Sequence, residues 1–557
     1  MSDSGAASVA GGATGATGAA GAAAGATGAA GAAGAAGAAA GATSVGRLLD
    51  AIADVGRAAS GGYERFAWTA HDLTLREWFA AEAAARGLSV TVDRAGNQWA
   101  WWGDPDADGP GVVSGSHLDS VPGGGAFDGP LGVAGAFAAL DALRASGVVP
   151  VRPLGIVNFS DEEGARFGLA CLGSRAVTGT VPADRLLALR DGSGDSLGEV
   201  LGAVLRGSGS SSRGSSLSSR GSSVSRSGQV PTRSTHEALG AAVSAGVSLE
   251  HYGRDPETLA RIGVFVELHV EQGRYLADLP DDEAAPVAVG AAIWPHGRWR
   301  VDLAGEANHA GTTPLAHRHD PMLDLARLIT DVRAAAEQAG ALATLAKVQV
   351  EPNGVNAIPS RVRAWIDARA ETEHAVRSVI GVPPSGGRST GDPSNVGVVG
   401  ASGLMDRRGL RSTPHLVGEP SGGLAGWRPV EESWTPATVF DPALAARIAD
   451  VVGRPGSDLP APVIGTGAGH DAGILAAAGI PTAMLFVRNP TGVSHSPAEH
   501  ADPADCDAGG RALAAALADL LTAPDLLRSP AGRESAPAGR ESAPAGPSRN
   551  SARHDPL

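Results

Sequence analysis

The stretch GVVSGSHLDSVPGGGAFDGPLGV, residues 111–133, decides the fold class. It opens with an apolar run that fits a buried strand, Gly111–Ser116. After a glycine-rich loop a helical pattern begins, which continues over Asp128–Ser146. A buried strand followed by a helix is the repeating unit of a parallel sheet that is covered by helices. His117 and Asp119 follow the strand directly, where open α/β sheets collect functional side chains. The stretch therefore predicts an α/β fold with an active site at this strand end.

The same alternation of strand and helix recurs along the chain. Apolar runs and helical patterns predict further buried strands and helices, namely strands at Leu154–Phe159, Val264–His269, Val463–Gly467 and Ala483–Val487 and helices at Ala472–Ala478 and Asp505–Leu521. This order predicts a mostly parallel sheet with helices on both faces.

The pattern changes between about residues 294 and 432. An alternating strand at Trp299–Leu303 precedes a helix at Pro321–Ala339, and a strand pair follows around Thr344–Val350 and Arg361–Ala368. This order predicts a smaller α+β domain inserted into the larger one. The predicted large domain consists of residues 44–293 and 433–522, and the predicted small domain of residues 294–432.

Several segments carry low-complexity sequence. Residues 1–43 are almost entirely Ala, Gly, Ser and Thr, residues 207–229 are rich in Ser, Arg and Gly, and AGRESAP occurs twice in the tail 523–557. Such side chains bury too little apolar surface to offset the entropy of ordering the chain, so we predict that these segments are disordered. Residues 378–424, rich in Gly, Pro and Ser, are predicted to form an expanded loop.

The charge balance and the cysteine count exclude several classes of protein. The 557-residue chain has 44 Lys and Arg against 59 Asp and Glu, a formal net charge of −15. A protein that binds nucleic acid or anionic membranes generally needs a basic face, so neither partner is expected. No apolar run is long enough to span a membrane. The two cysteines, Cys171 and Cys506, cannot build a disulfide scaffold or a thiolate zinc site, which favours a cytoplasmic location.

Four predicted strand ends carry side chains of the types that bind metals or transfer protons. The first strand end has His117, Asp119 and Asp128, the second has Glu162 and Glu163, the third has His269 and the fourth has His495. Imidazole and carboxylate are the ligands of zinc and its first-row neighbours. Asp128, flanked by glycine, is suited to bridge two cations. Asp119 could fix the tautomer of His117. One of the two adjacent glutamates can ligate while the other acts as general base.

Each of these residues has a simpler interpretation when it is taken alone. An His-x-Asp triplet is usually a surface or capping feature, and two adjacent glutamates are usually a solvated face. His269 alone would be a core histidine, and His495 beside Ser-Pro alone would be a loop residue. The two-metal hypothesis depends on their joint occurrence at strand ends in glycine-containing contexts.

Seven motifs together resemble one family, and these are GSHLDSVPGGGAFDGPLGV, FSDEEGARFG, HVEQG, GEANHAGTTP, GVNAIPS, GAGHDAG and SHSPAEH. They resemble the M20 metallopeptidase clan, and within it the amidohydrolase branch of N-carbamoyl-L-amino-acid hydrolases, β-ureidopropionase and allantoate amidohydrolase. The resemblance covers roughly residues 45–200, 260–370 and 434–522. The HVEQG motif distinguishes the amidohydrolase branch from the peptidases of the clan, because the peptidases generally carry a carboxylate ligand where this chain has His269.

The resemblance implies a binuclear-metal exopeptidase-like fold and a division of roles. One metal would be held by His117, Asp128 and His269, and the other by Asp128, Glu163 and His495. Glu162 would be the general base, and Asp119 would orient His117. The metals would be two divalent ions, Zn or Mn first, with Co and Ni as alternatives.

The resemblance also implies that the small domain is a lid and a dimerisation module. His309 would reach an active site, expected to be that of the neighbouring subunit of a homodimer, and there stabilise the oxyanion of the tetrahedral intermediate. Asn356 and Arg369 would bind the substrate's carboxylate, and Gln272 and His470 its ureido or amide group. The simpler interpretations are an exposed salt bridge for Arg369 and a turn residue for His309.

The sequence leaves the substrate open. A metal-dependent hydrolysis of a carbon–nitrogen bond in a small carboxylate is the first hypothesis, with allantoate as first guess, followed by N-carbamoyl-L-amino acids and N-formyl or N-formimino amino acids. Trp294, Pro295 and His296 depart from many relatives and could reshape the pocket. The alternatives are an aminoacylase or dipeptidase of the same clan, which His269 disfavours, and an inactive metal-binding scaffold, which Glu162 disfavours.

Overall fold

The computed structural model describes residues 44–206, 247–381, 424 and 426–523. Twelve α-helices lie in these ranges: α1 Val45–Asp50, α2 Ala70–Ala85, α3 Pro130–Ala145, α4 Leu172–Thr178, α5 Ala183–Leu187, α6 Leu197–Leu205, α7 Pro256–Ala260, α8 Pro321–Ala339, α9 Glu373–Ile380, α10 Pro442–Val452, α11 Asp471–Ala477 and α12 Pro503–Thr522. Short 3₁₀ helices lie at Asp281–Glu283 and Leu315–His317. None of the helices in these ranges is both long enough and apolar enough to cross a bilayer.

The same ranges contain fifteen strands: β1 Ser89–Val92, β2 Gln98–Trp102, β3 Gly111–His117, β4 Leu154–Phe159, β5 Ile262–Val270, β6 Val287–Ile293, β7 His296–Ala304, β8 Asn308–His309, β9 Leu342–Glu351, β10 Ala357–Ile358, β11 Arg361–Arg369, β12 Val430–Thr435, β13 Thr438–Val439, β14 Val463–Thr466 and β15 Thr482–Val487.

A nine-stranded sheet forms the centre of the large domain. Its strands follow the order β1-β2-β4-β3-β5-β15-β6-β13, and β14 pairs with β6. The four central strands β4, β3, β5 and β15 run parallel. Antiparallel neighbours, β2 on one side and β6 on the other, flank this centre. The predicted mostly parallel core is therefore confirmed, and antiparallel strands extend it into a mixed sheet.

Apolar cores lie on both faces of the large sheet. Because successive side chains of a strand point to opposite faces, Val112 of β3 packs into one core and Val113 into the other. The first core includes Leu140 of α3 and Leu517 of α12, and the second includes Leu475 of α11. This confirms the prediction of helices on both faces.

A separate antiparallel sheet, in the order β12-β7-β11-β9, forms the smaller domain. Its strands alternate buried and exposed residues, as in β11, whose pattern over Arg361–Arg369 places Val362, Ala364, Ile366 and Ala368 in the core. Helices α8 and α9 cover that face with side chains such as Leu328 and Val376. The α+β architecture of this domain agrees with the sequence pattern.

The structure places some boundaries differently from the sequence. Ser378–Ile380 form the last turn of α9 and so do not belong to the loop predicted at 378–424, of which residues 382–423 lie outside the described residues. Strand β12 ends at Thr435 and pairs with β7, which carries the small sheet past residue 432. The segments predicted to be disordered lie outside the described residues, apart from Ala523.

Candidate functional site

The proposed ligands meet at the carboxyl edge of the central parallel strands. His117 ends β3, Glu163 follows β4, and His269 lies near the end of β5. His495 lies in the loop after β15, in the left-handed region at a φ of 54°. Since these four strands are neighbours in the sheet, chain segments far apart in sequence converge at one edge.

The first group of candidate ligands is His117, Asp128 and His269, all buried. Asp128 Oδ1 lies 3.2 Å from His269 Nε2 and 3.8 Å from His117 Nε2. Asp128 precedes Gly129, which is the N-cap residue of α3 and has a φ of 85°. A Cβ at Gly129 would lie 2.4 Å from the His117 ring, so a side chain there would displace the ligand.

The second group is Asp128, Glu163 and His495. His495 Nε2 lies 3.5 Å from Asp128 Oδ2 and 3.5 Å from Glu163 Oε2. The two groups therefore share Asp128, with one carboxylate oxygen facing each. The His495 side chain is 49% exposed, whereas that of Glu163 is 8% exposed, so the second group lies at the solvent side of the cluster.

The buried imidazoles of the cluster fit a metal site. His117 Nε2 and His269 Nε2 are buried and make no hydrogen bond in the described part of the chain. Their other ring nitrogens have acceptors, because His117 Nδ1 lies 3.2 Å from the Asp119 carbonyl oxygen and His269 Nδ1 lies 2.9 Å from that of Val270. An Nδ1 that donates to a carbonyl leaves a lone pair on Nε2, which is the arrangement of a histidine metal ligand.

The electrostatics of the cluster favour cations. Burial raises the pKa of Glu163 to about 8, and the negative charge of Asp128 adds to this effect. Burial alone would also raise the pKa of Asp128, but the positive charge that the nearby imidazoles carry when protonated, His269 first, lowers it below its ordinary value. Buried carboxylates that repel one another are stabilised when a divalent cation lies between them.

Asp119 connects the ends of β3 and β4. Its Oδ1 lies 3.4 Å from His117 Nδ1 and accepts the backbone N–H of Glu162 at 3.1 Å. Its Oδ2 accepts the backbone N–H of Glu163 at 3.0 Å. Asp119 thus lies beside His117, and its role in orienting that ring stays a prediction. It also holds both glutamates, which the sequence did not indicate.

Glu162 lies beside the cluster and belongs to neither candidate ligand group. Its Oε2 lies 3.8 Å from His117 Nε2. Burial raises the pKa of Glu162 well above its ordinary value, opposed by the charge of His117. The structure therefore separates the two adjacent glutamates, with Glu163 in the second ligand group and Glu162 next to it.

Glu499 contacts the cluster and was missed as a site residue in the sequence. Its Oε1 accepts the backbone N–H groups of Phe127 and Asp128, at 2.9 and 3.0 Å. Its Oε2 is buried with no hydrogen bond among the described residues. Burial raises the pKa of Glu499 to about 7, and the charge of Asp128 contributes. The signal was its position four residues after His495 in the SHSPAEH motif.

Gln272 and His470 lie against the ligands. Gln272 Nε2 lies 2.8 Å from Asp128 Oδ2 and 3.4 Å from His495 Nε2. The His470 ring meets that of His269 edge to face, with centroids 4.4 Å apart, and burial lowers the pKa of His470 well below its ordinary value. His470 also belongs to a third group of possible ligands, with Glu267 and His269.

Arg369 lies where the small domain meets the large one. Its Nη1 donates to the carbonyl oxygen of Gly467 at 2.7 Å, and its Nε donates to Asp367 at 2.8 Å. The Trp294 indole covers the same strand end, because its Nε1 lies 2.3 Å from the position of a Cβ at Gly465. Trp294 and Arg369 therefore line one seam between the domains.

His309 and Asn356 lie together on the small domain. His309 of β8 pairs with Ala357 of β10, and the Asn356 carbonyl oxygen accepts the N–H of Ala310. Both side chains are exposed. Within the described ranges neither side chain forms a hydrogen bond or ion pair with the ligand cluster.

Comparison with known proteins places this site in a family context. The family model described as "Peptidase family M20/M25/M40" matches residues 113–519. The chain is 32% identical to N-carbamoyl-L-amino acid amidohydrolase of Geobacillus stearothermophilus, over 84% of this chain and 95% of that protein. It is 28% identical to allantoate amidohydrolase of Bacillus subtilis, over 84% and 95%. A crystal structure of a hydantoinase/carbamoylase family amidase from Burkholderia vietnamiensis superposes with a TM-score of 0.62 at 26% identity, over 87% of this chain and 98% of that one.

Proposed function

The chain belongs to peptidase family M20/M25/M40, and from this premise we propose that it is a binuclear-metal amidohydrolase that cleaves a carbon–nitrogen bond of an α-ureido carboxylate. The observation that carries the proposal is the pair of ligand groups that share Asp128 at the edge of the sheet. N-carbamoyl amino acids and allantoate, for which two relatives are named, both carry a ureido group on the carbon that bears the carboxylate. That common chemistry supports the substrate class.

The proposed division of ligands follows the two groups. His117, Asp128 and His269 would hold one divalent cation, and Asp128, Glu163 and His495 the other. Such cations polarise a carbonyl oxygen and lower the pKa of water. The identity of the metal stays a prediction, with Zn or Mn first and Co and Ni as alternatives, because imidazole and carboxylate ligands suit all four.

Glu162 would act as general base and then as general acid. It would take a proton from the attacking water and deliver it to the departing nitrogen. Its contact with His117 supports this role, since a base at that position faces the cluster without belonging to either ligand group. Gln272 and His470 would orient the ureido group, because both lie against the ligands.

Arg369 is proposed to bind the substrate's carboxylate. A guanidinium has five N–H donors, and the contacts to Asp367 and Gly467 use three of them. The remaining donors, one on each terminal nitrogen, suit the two oxygens of a carboxylate. Asn356 would assist from the small domain of the partner subunit.

The exposed position of His309 supports a shared active site in a homodimer. Strand β9 lies at the edge of the small sheet and, in the described residues, pairs only with β11. Its exposed Leu342 and Val348 adjoin a free backbone edge suited to a second copy. His309 of one subunit would then stabilise the oxyanion in the other. The cytoplasmic location stays a prediction.

Removal and return of metal test the proposal. Chelation of the full-length protein should abolish release of ammonia from N-carbamoyl-L-alanine, and addition of Zn or Mn should restore it. Two metal ions per chain should accompany full activity in elemental analysis. Unchanged hydrolysis by a protein shown to be free of metal would contradict the mechanism.

A further inference from the structure

Cys171 contacts Glu162 with both its main chain and its side chain. Its backbone N–H donates to the Glu162 carbonyl oxygen, and its Sγ lies 3.3 Å from Glu162 Oε1. The loop between them is closed by a further hydrogen bond, from the N–H of Gly168 to the carbonyl oxygen of Gly164. Cys171 itself adopts the left-handed conformation, with φ 55° and ψ 39°, immediately before α4.

The two oxygens of the Glu162 carboxylate face different surroundings as a result. Oε1 lies against the thiol, and Oε2 points to His117 Nε2 at 3.8 Å. In the part of the chain that the structure describes, the thiol is the one hydrogen-bond donor to this carboxylate. Without it the carboxylate could rotate about its last side-chain bond, because that torsion has a broad energy minimum.

We propose that Cys171 is a positioning residue, whose thiol holds Glu162 Oε1 so that Oε2 faces the metal cluster. This inference rests on the proposed role of Glu162 as general base. Cys171 is not itself a catalytic residue, since Glu162 stands between it and the reacting atoms.

The surroundings of Cys171 keep it a donor. The side chain is buried, and its pKa is raised well above the ordinary value by burial and by the negative charges of Glu162 and Asp471. The group is therefore a neutral thiol with a hydrogen to donate. A serine hydroxyl at the same position could make the same contact, whereas an alanine could not.

Infrared spectroscopy tests the contact without substrate. Cys506 is the only other cysteine, so a Cys506→Ala protein has a single S–H group. Replacing Glu162 by alanine in that protein should shift the S–H stretching band to higher frequency, because the acceptor is lost. Glu257→Ala, which removes an exposed glutamate on α7, is the control and should leave the band unchanged. A band that does not respond to Glu162→Ala would overturn the proposal.

Kinetics test the consequence. Cys171→Ala should lower kcat roughly three- to tenfold, the range expected for one lost hydrogen bond, with KM and metal content unchanged. Cys171→Ser should recover most of the loss, and Cys506→Ala, which removes the other buried thiol, should have no effect. A serine variant as slow as the alanine variant, or an alanine variant as fast as the wild type, would overturn the proposal. Absence of ureido hydrolysis by the unsubstituted protein would instead refute the proposed function and leave the infrared result standing.

Discussion

Glu162 is the residue that we propose as the proton-transfer group of the cluster. Glu162→Gln should leave two metal ions bound but lower kcat by at least about 10²- to 10⁴-fold, because an amide cannot accept the proton. Elemental analysis and ammonia release measure the two quantities on the same sample. The exposed Glu257, which pairs with Arg94, gives the control Glu257→Gln. Near-normal turnover by Glu162→Gln would refute the assigned base.

Glu499 should matter for metal binding because it holds the backbone of Asp128. Glu499→Ala leaves the N–H groups of Phe127 and Asp128 without their buried acceptor. We expect metal affinity to fall about 10- to 100-fold, as for other residues that support a ligand. Titration against a competing chelator measures this change. Glu337→Ala, on the exposed face of α8, is the control and should not alter the metal affinity. An equal loss of metal affinity in Glu337→Ala would show a general effect on folding.

The sequence predicts that the candidate ligands lie close together, which the structure shows, whereas their role as metal ligands stays a prediction. His117 and His269 are examples, since a buried strand positions each of them. Contacts that depend on the path of a loop could not be predicted. Cys171 is nine residues from Glu162, and only the left-handed turn before α4 brings its thiol back to that carboxylate.

At the scale of elements, the segment between β6 and β7 should set substrate specificity. Trp294 lies in this segment and packs against Gly465 and Gly467, next to Arg369. Trp294→Ala should raise kcat/KM for N-carbamoyl amino acids with large side chains, relative to N-carbamoylglycine, by about tenfold, because it opens space beside the proposed carboxylate site.

A competition assay with two N-carbamoyl amino acids of different size measures this ratio. Trp365→Ala is the matched control, since the Trp365 indole donates a hydrogen bond to Glu432 on the small sheet. An unchanged ratio for Trp294→Ala would show that the indole lies outside the substrate pocket.

The central strands were predictable because they are largely apolar runs, such as Leu154–Phe159, whose bounds the structure reproduces without change. Strand β2 was not predicted, since Gln98–Trp102 shows neither alternation nor an aliphatic run. Strand β6 was also missed, because Val287–Ile293 contains small residues and Gly290. Gly290 is needed there, as a Cβ would lie 2.9 Å from Met484 on the neighbouring strand. Neighbouring strands, rather than local propensity, determine such segments.

At the scale of the whole molecule, the edge of the small sheet should join two chains. Leu342→Asp with Val348→Asp places charges on exposed positions of β9, which are 56% and 39% exposed in the single chain. Light scattering should show a dimer for the wild type and a monomer for the double variant, because charge on an edge strand opposes pairing. Val463→Asp with Val439→Asp, at exposed positions on the large domain, should leave the dimer intact.

Mixed dimers test whether the two chains share a site. Subunits with Glu162→Gln and subunits with His309→Ala should each be inactive alone. Mixed in equal amounts, they should recover about a quarter of wild-type activity, because half of the symmetric dimers are mixed and each has one intact site. No recovery after proven subunit exchange would place His309 in its own subunit's site or outside any site.

The substrate class is tested most directly by one hydrolysis screen on the metal-loaded, full-length protein. Allantoate and the N-carbamoyl, N-formyl and N-acetyl derivatives of L-alanine would be compared with the dipeptide L-alanyl-L-alanine, by measuring ammonia and free alanine. The account predicts ammonia from allantoate or N-carbamoyl-L-alanine at the highest kcat/KM of the set. Cleavage of the dipeptide or the N-acetyl compound, with no ammonia from either ureido substrate, would contradict it.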